Sequence, residues 1–262
     1  MTSNINSLLL YEEIDEIAVL TLNRPKQQNA LSSELMKELL QKLNSIEDNK
    51  KIKVVTILSN GNNFCAGHDL KELKIDKSEE RFKKIFELCS ELMLKIVKLP
   101  KPVIAGVQGI ATAAGCQLVA SCDLAIASNN SKFATPGVNI GLFCSTPMVA
   151  VSRNVNRKQT MEMLLLGEFI SPLKAQEIGL INKIVSDKNL KEETIKMAKI
   201  IASKSPTTVA IGKEAFYKQL EMSIEEAYQY TSQVMSKNML EKDAQEGISA
   251  FIENRAPKWT DK

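Results

Sequence analysis

The chain has 262 residues, 44% of them hydrophobic and 25% charged, with 34 Lys and Arg against 31 Asp and Glu for a net charge of +3. This is ordinary for a globular protein with a sizeable core, and the near-balanced charge, without a basic block or basic–aromatic interleaving, argues against a dedicated nucleic-acid surface. The single histidine, His68, excludes a His-x-x-x-His zinc helix or a three-His metal cage and leaves any Ser-His-Asp triad only that residue, so no metal site is expected.

Residues 7–11 and 16–23 read as strands, the second carrying Ile17, Val19, Leu20 and Leu22. Asn23-Arg24-Pro25 stops that run, because proline restricts its predecessor and cannot donate to a ladder. Ser32 or Ser33 can cap a helix with Glu34 in its first turn, and Leu35, Leu39, Leu43 and Ile46 follow at helical spacing. Residues 54–58 form a short β-branched run, as in a strand buried on both faces. A polar turn leads to Phe64-Cys65-Ala66-Gly67-His68-Asp69-Leu70. Residues 79–97 make an amphipathic helix with Phe82, Ile85, Phe86, Cys89, Met93, Ile96 and Val97 on one stripe. Residues 102–106 are another buried strand, 113–120 a helix opening on small residues, and 124–127 and the region of Phe133 short strands. From Asn154 the pattern is almost wholly helical. Ser171-Pro172 starts one helix and Gly179 closes it; others are predicted over 190–203, 207–220, 224–240 and 244–252. This predicts an α/β core over residues 1–200 and a helical C-terminal region over 201–262.

Five cysteines without a C-x-x-C pair read as reduced thiols, not a disulfide framework. No apolar run approaches the roughly 18–20 residues of a membrane span. The first residues lack a basic segment followed by an apolar one and are not Arg-rich, so the expected compartment is the cytoplasm.

Seven of only 11 glycines lie between Gly61 and Gly141. Two glycine-bearing turns, Ala66-Gly67-His68 and Ala113-Ala114-Gly115, each follow a buried strand, and the second opens a helix whose free N–H groups suit a developing oxyanion. If the turns face each other, one N–H from each forms a two-donor hole. On pattern alone ordinary strand-to-loop turns are the better fit.

Asn23-Arg24-Pro25 with Asn29-Ala30-Leu31, then Ala66-Gly67-His68-Asp69-Leu70, Pro102-Val103-Ile104-Ala105-Gly106-Val107-Gln108-Gly109, Gly115-Cys116-Gln117-Leu118 with Cys122-Asp123, and Gly167-Glu168-Phe169-Ile170-Ser171 together resemble the enoyl-CoA hydratase/isomerase (crotonase) superfamily. The segment from Phe133 to Pro147 looks most like its enoyl-CoA hydratase domain-containing subgroup. The resemblance implies a spiral of β-β-α units, a helical C-terminal region that forms a homotrimer or dimer of trimers, and an acyl-CoA thioester as ligand, with CoA part of the substrate and no separate cofactor. By position, the His68 and Ala114 amides would hold the thioester enolate. Lys26, Gln28, Ala66, Asp69 and Leu70 would lie along the CoA and acyl path, Lys26 as a phosphate partner, and Phe251 and Lys258 would approach the CoA from the C-terminal helix and tail.

The departures concern the chemistry. The family's hydratases carry glutamates where this chain has Gln117 and Gly137. Glutamine can bond a water but cannot take its proton, and losing a general acid or base costs about 100- to 10,000-fold. Classical hydratase activity is therefore expected to be weak or absent. Thioester hydrolysis or decarboxylation on the same hole, and acyl-CoA binding without catalysis, remain open, as does any part played by the His68 ring.

Overall fold

The structure is a computed structural model that describes residues 7–75 and 77–260. Six strands form the main sheet: β1 (Leu9–Ile14), β2 (Ile17–Leu22), β3 (Val54–Ser59), β4 (Val103–Val107), then β6 (Leu124–Ser128) and β8 (Lys183–Val185), in that spatial order. Only β1 pairs antiparallel with its neighbour; the others are parallel. Their sequences explain this. Side chains alternate faces along a strand, so Ala18, Leu20, Leu22, Val55, Ile57, Val103, Ala105 and Val107 point into the large core, while Ile17, Val19, Val54, Leu58 and Ile104 form a second layer with Ala198 and Ala202. Those two alanines lie on helix α8 (Leu190–Ala202), which caps that face. Strands covered on both sides need to be apolar throughout, and β3 is buried at every position.

The large core is closed by α1 (Ser33–Asp48) and α3 (Glu79–Lys98), with the short α2 (Leu70–Ile75) between them. Ser32 caps α1 by accepting from the Leu35 N–H at 3.2 Å, and Leu35, Leu39, Leu43 and Ile46 are its buried stripe, as the spacing predicts. α4 (Ala114–Ser121) is buried along its whole length. α5 (Pro147–Val151), α6 (Arg157–Leu166) and α7 (Pro172–Glu177) follow, α7 capped by Ser171 with Pro172 at its first position.

A second ladder runs beside the main sheet. β5 (Ile110–Thr112) pairs parallel with β7 (Lys132–Ala134), and single bridges extend it: Leu31 to His68, Cys65 to Ala111, and Phe133 to Ile170. Each chain turn thus gives one strand to the sheet, one rung to this ladder and then a helix, which is the β-β-α spiral. The sequence pattern does not reveal β5, α2 or β8. Each is only three to six residues long, too short for a period to register, and β8 breaks the helical reading of the last third.

α9 (Pro206–Gln219), α10 (Ile224–Asn238) and α11 (Lys242–Ile252) complete the chain. α9 is fastened to the core by Lys213, whose ammonium donates to Asp123 at 2.7 Å and to the Ile96 and Lys101 carbonyls; Tyr217 donates to the same carboxylate at 2.9 Å. Asp123 also accepts the Val103 N–H at the start of β4. The tail folds back, Trp259 donating to the Ser203 carbonyl and Thr260 to the buried Asp243. No helix among the described residues is long and apolar enough to cross a membrane.

Candidate active site

The two glycine-bearing turns sit on adjacent rungs of the second ladder. Cys65 donates to the Ile110 carbonyl and accepts from the Thr112 N–H, both at 3.0 Å, which sets residue 65 beside residue 111. Beyond that bridge one segment runs on to His68 and the other to Ala114 at the start of α4. The close approach is visible at Gly67 (φ +96°), where a Cβ would lie 3.0 Å from the Ala113 Cβ and 3.4 Å from the Ala114 nitrogen. Neither the His68 N–H nor the Ala114 N–H donates to an acceptor among the described residues.

For His68, the pairing with Leu31 explains this. Leu31 N–H donates to the Gly67 carbonyl at 2.7 Å and Asp69 N–H to the Leu31 carbonyl at 3.2 Å, so the amide between them points the other way. Ala114 is the first residue of α4, whose opening amides have no intrahelical partner. Ala113 before it holds φ +49°, a conformation that costs a non-glycine residue about 1–3 kcal/mol and persists only where the surroundings enforce it. Its N–H donates to the Ala134 carbonyl of β7 at 3.0 Å, which helps to hold it there.

The loops before the site are fixed by residues whose part the motif reading left unassigned. Asn29 is fully buried; its amide donates to the Asn60 and Asn63 carbonyls at 2.8 Å each and its oxygen accepts the Arg24 N–H at 2.8 Å. Arg24 pairs with Asp69 at 2.9 Å, both side chains largely shielded. Burial raises the Asp69 pKa, but the Arg24 guanidinium and the Lys71 N–H outweigh it, and the carboxyl is held below its usual range. Asp69 therefore orders the turn after His68. Gln28 accepts the Ala66 N–H through its carbonyl at 3.1 Å and the Asn63 amide through its side chain. Lys26 lies exposed on the short 3-10 turn Pro25–Gln27 beside these loops, and Ala66 and Leu70 are exposed at the rim. Phe251, on α11, is 85% exposed, and the Lys258 backbone donates to Glu246. Among the described residues no hydrogen bond, ion pair or ring contact joins these last two to the turns.

Gln117 is buried on α4, its Oε1 3.9 Å from the Cys89 thiol of α3. Gly137, in the short turn Pro136–Ile140, donates its N–H to Cys144 Sγ at 3.3 Å. A Cβ there would meet the Leu142 carbonyl oxygen at 2.6 Å and Cys144 Sγ at 2.9 Å. The loop has closed over this position. The His68 ring stands edge-on to Phe86 of α3, centroids 5.3 Å apart at 75°. No group of three or more His, Cys, Asp or Glu side chains suited to a metal occurs among the described residues.

Residues 12–262 match the family model described as enoyl-CoA hydratase/isomerase. The chain belongs to that family. The enoyl-CoA hydratase domain-containing protein 3 of Xenopus laevis is 47% identical over 253 residues (97% of this chain, 86% of that protein), and its Homo sapiens counterpart is 48% identical over 248 residues (95% and 82%). The crystal structure of an enoyl-CoA hydratase from Mycobacterium smegmatis superposes with a TM-score of 0.95 at 47% identity, covering 97% of this chain and 99% of that one. The chain thus has the crotonase fold, an α/β spiral with a helical C-terminal region. One expectation needs correction: both domain-containing relatives are designated mitochondrial, which conflicts with a cytoplasmic assignment. Unpaired thiols report a reducing environment, and composition does not distinguish one such compartment from another.

Proposed function

We propose that this enoyl-CoA hydratase/isomerase family member binds an acyl-CoA and stabilises its thioester enolate between the His68 and Ala114 amides, with little classical hydratase activity. The observation that carries the reading is the ladder register: two undonated N–H groups on adjacent rungs, one at a helix start. The substitutions at Gln117 and Gly137 carry its second half, since neither can move the proton of an added water. Lys26, Gln28, Ala66, Asp69 and Leu70 would line the path from CoA to the acyl group. Phe251 and Lys258 would take part from the C-terminal side. CoA is substrate in this reading, and no separate cofactor is invoked.

Exposed Phe216, Leu220, Tyr228, Met235 and Leu240, on α9, α10 and the turns that follow them, support assembly as a homotrimer or dimer of trimers. A second reading, thioester hydrolysis or decarboxylation on the same hole, is favoured by the His68 ring, whose buried nitrogens have no partner. A panel of acyl-CoAs tests both, followed by calorimetry for binding and mass spectrometry for product. Binding with no hydration of crotonyl-CoA is expected. Hydration at roughly 1–1,000 per second would overturn the weak-hydratase half, and failure of every ester to bind would overturn the whole.

A further inference from the structure

One side chain grips both flanks of the bridge that carries the His68 amide. Leu31 and His68 meet at a single bridge, Leu31 donating to the Gly67 carbonyl and accepting from the Asp69 N–H. The Arg24 guanidinium reaches the residue before Leu31 and the residue after His68: Nη1 donates to the Ala30 carbonyl at 2.5 Å and Nη2 to the Asp69 carboxylate at 2.9 Å. The two charged side chains are only 13% and 14% exposed, so removing either leaves the other poorly compensated. Burial pushes the His68 pKa below the ordinary histidine value, so the imidazole is neutral at pH 7 and the cation that Asp69 meets is Arg24.

The loop that carries Arg24 is itself constrained. Gln28 and Asn29 hold φ +53° and +52°, conformations that persist in non-glycine residues only where the surroundings enforce them. Here the Arg24 N–H donates to the Asn29 side chain and the Asn29 N–H to the Arg24 carbonyl, which closes the loop on itself and brings Ala30 back to the guanidinium. The Ala114 amide is held differently, by the backbone: it opens α4, and Ala113 before it is tied to the Ala134 carbonyl.

We propose that Arg24 is a positioning residue: by gripping Ala30 and Asp69 together it sets the direction of the His68 amide, and so how strongly a bound thioester carbonyl is polarised. This rests on the acyl-CoA reading above, because it concerns the aim of one of that reading's two donors. A planar guanidinium presents fixed donors on separate nitrogens to two acceptors, which a lysine ammonium does not reproduce. Hydrogen bonds weaken steeply with misalignment, so a loosened turn would weaken one donor of the two, while affinity spread along the CoA path changes little.

The test is isotope-edited infrared spectroscopy of butyryl-CoA labelled at its carbonyl carbon, with calorimetric binding of the same ester, for wild type, Arg24→Met, Arg24→Lys and Asp69→Asn. Thermal melts establish which variants are folded. In the wild type the carbonyl band is expected to move to lower frequency on binding. Both Arg24 variants should keep about half of that displacement, the share of one donor, with affinity weakened less than about tenfold. Asp69→Asn removes the charge but keeps an acceptor; its displacement should fall between theirs and the wild type's, and it serves as the test if the Arg24 variants do not fold. A merely structural role would lower Tm and leave the band of the folded protein in place. A wild-type displacement in the folded variants would overturn the proposal while leaving the acyl-CoA reading intact. So would loss of binding in Arg24→Met with an undisturbed band in Asp69→Asn, which would make Arg24 a ligand contact. No binding to the wild type, or binding with no displacement, would overturn both.

Discussion

Restoring the two glutamates to this chain should not restore a hydratase. At residue 137 the obstacle is steric: a Cβ would lie 2.6 Å from a backbone oxygen, Leu142 O, and 2.9 Å from Cys144 Sγ. A carbonyl cannot rotate aside as a side chain can, so the loop must shift, at the roughly 1–3 kcal/mol typical of overpacking. Gly137→Ala isolates that cost, because alanine adds only the offending atom. At about 2–4 °C per kcal/mol for domains of roughly 150–250 residues, a drop in Tm of several degrees is expected. At residue 117 the obstacle is electrostatic. The site is 4% exposed and the side chain's hydrogen-bond partner among the described residues is the Cys89 thiol, itself kept protonated with a pKa pushed up to about 12 by burial and, to a lesser degree, by Cys65. Desolvation would raise the pKa of a carboxyl placed there, leaving it protonated near neutrality and useless as a base. The assay is crotonyl-CoA hydration, read from loss of the conjugated thioester absorbance, for Gln117→Glu, Gly137→Glu and the double variant. All three should gain less than about 100-fold over wild type, the least that one working acid or base contributes. A double variant with wild-type Tm and turnover of roughly 1–1,000 per second would refute the reasoning.

The depressed His68 pKa makes a linkage prediction: protonation favours the unfolded chain, so this contribution to stability is intact above pH 6.5 and is lost as pH falls through the folded value. Urea melts at pH 7.5, 6.5 and 5.5 should show wild type losing ground to His68→Phe below pH 6.5, by at most about 1.4 kcal/mol per pH unit; a constant difference would contradict it. Lys213→Met leaves the Asp123 carboxylate largely shielded without its cation and should destabilise by about 3–5 kcal/mol in denaturant melts, whereas a loss under 1 kcal/mol would mean that α9 is held by other contacts. All five cysteines are buried, and burial holds the Cys65 and Cys116 thiols near pKa 12. Native protein at pH 8 should therefore react slowly with a thiol reagent and unfolded protein should show five thiols, with rapid modification of more than one native cysteine counting against the buried arrangement.

The parts of the fold legible in the sequence are those where one local cause suffices. The α1 stripe of Leu35, Leu39, Leu43 and Ile46, the Ser171-Pro172 start of α7 and the doubly covered β3 all follow from short-range pattern. The second ladder does not, because three of its contacts are single-residue bridges with no period to detect. The site divides in the same way. Both turns can be read from their glycines and small residues, but their facing each other depends on a Cys65–Ala111 register 46 residues apart. The pairing of Arg24 with Asp69 and the reach of Asn29 to Asn60 and Asn63 are equally non-local. That residue 137 is a glycine is plain in the sequence; the lack of room for a side chain there is visible only once Leu142 and Cys144 are placed around it.

A pair of donors spaced by neighbouring rungs has a consequence for how such a protein can change. In the proposed function the two donors are backbone groups, while the Arg24, Asp69 and Asn29 side chains hold the loops around one of the turns. Under that proposal, side-chain substitutions at residues 68, 117 and 137 would change the chemistry available beside the two amides while leaving the amides themselves in the chain.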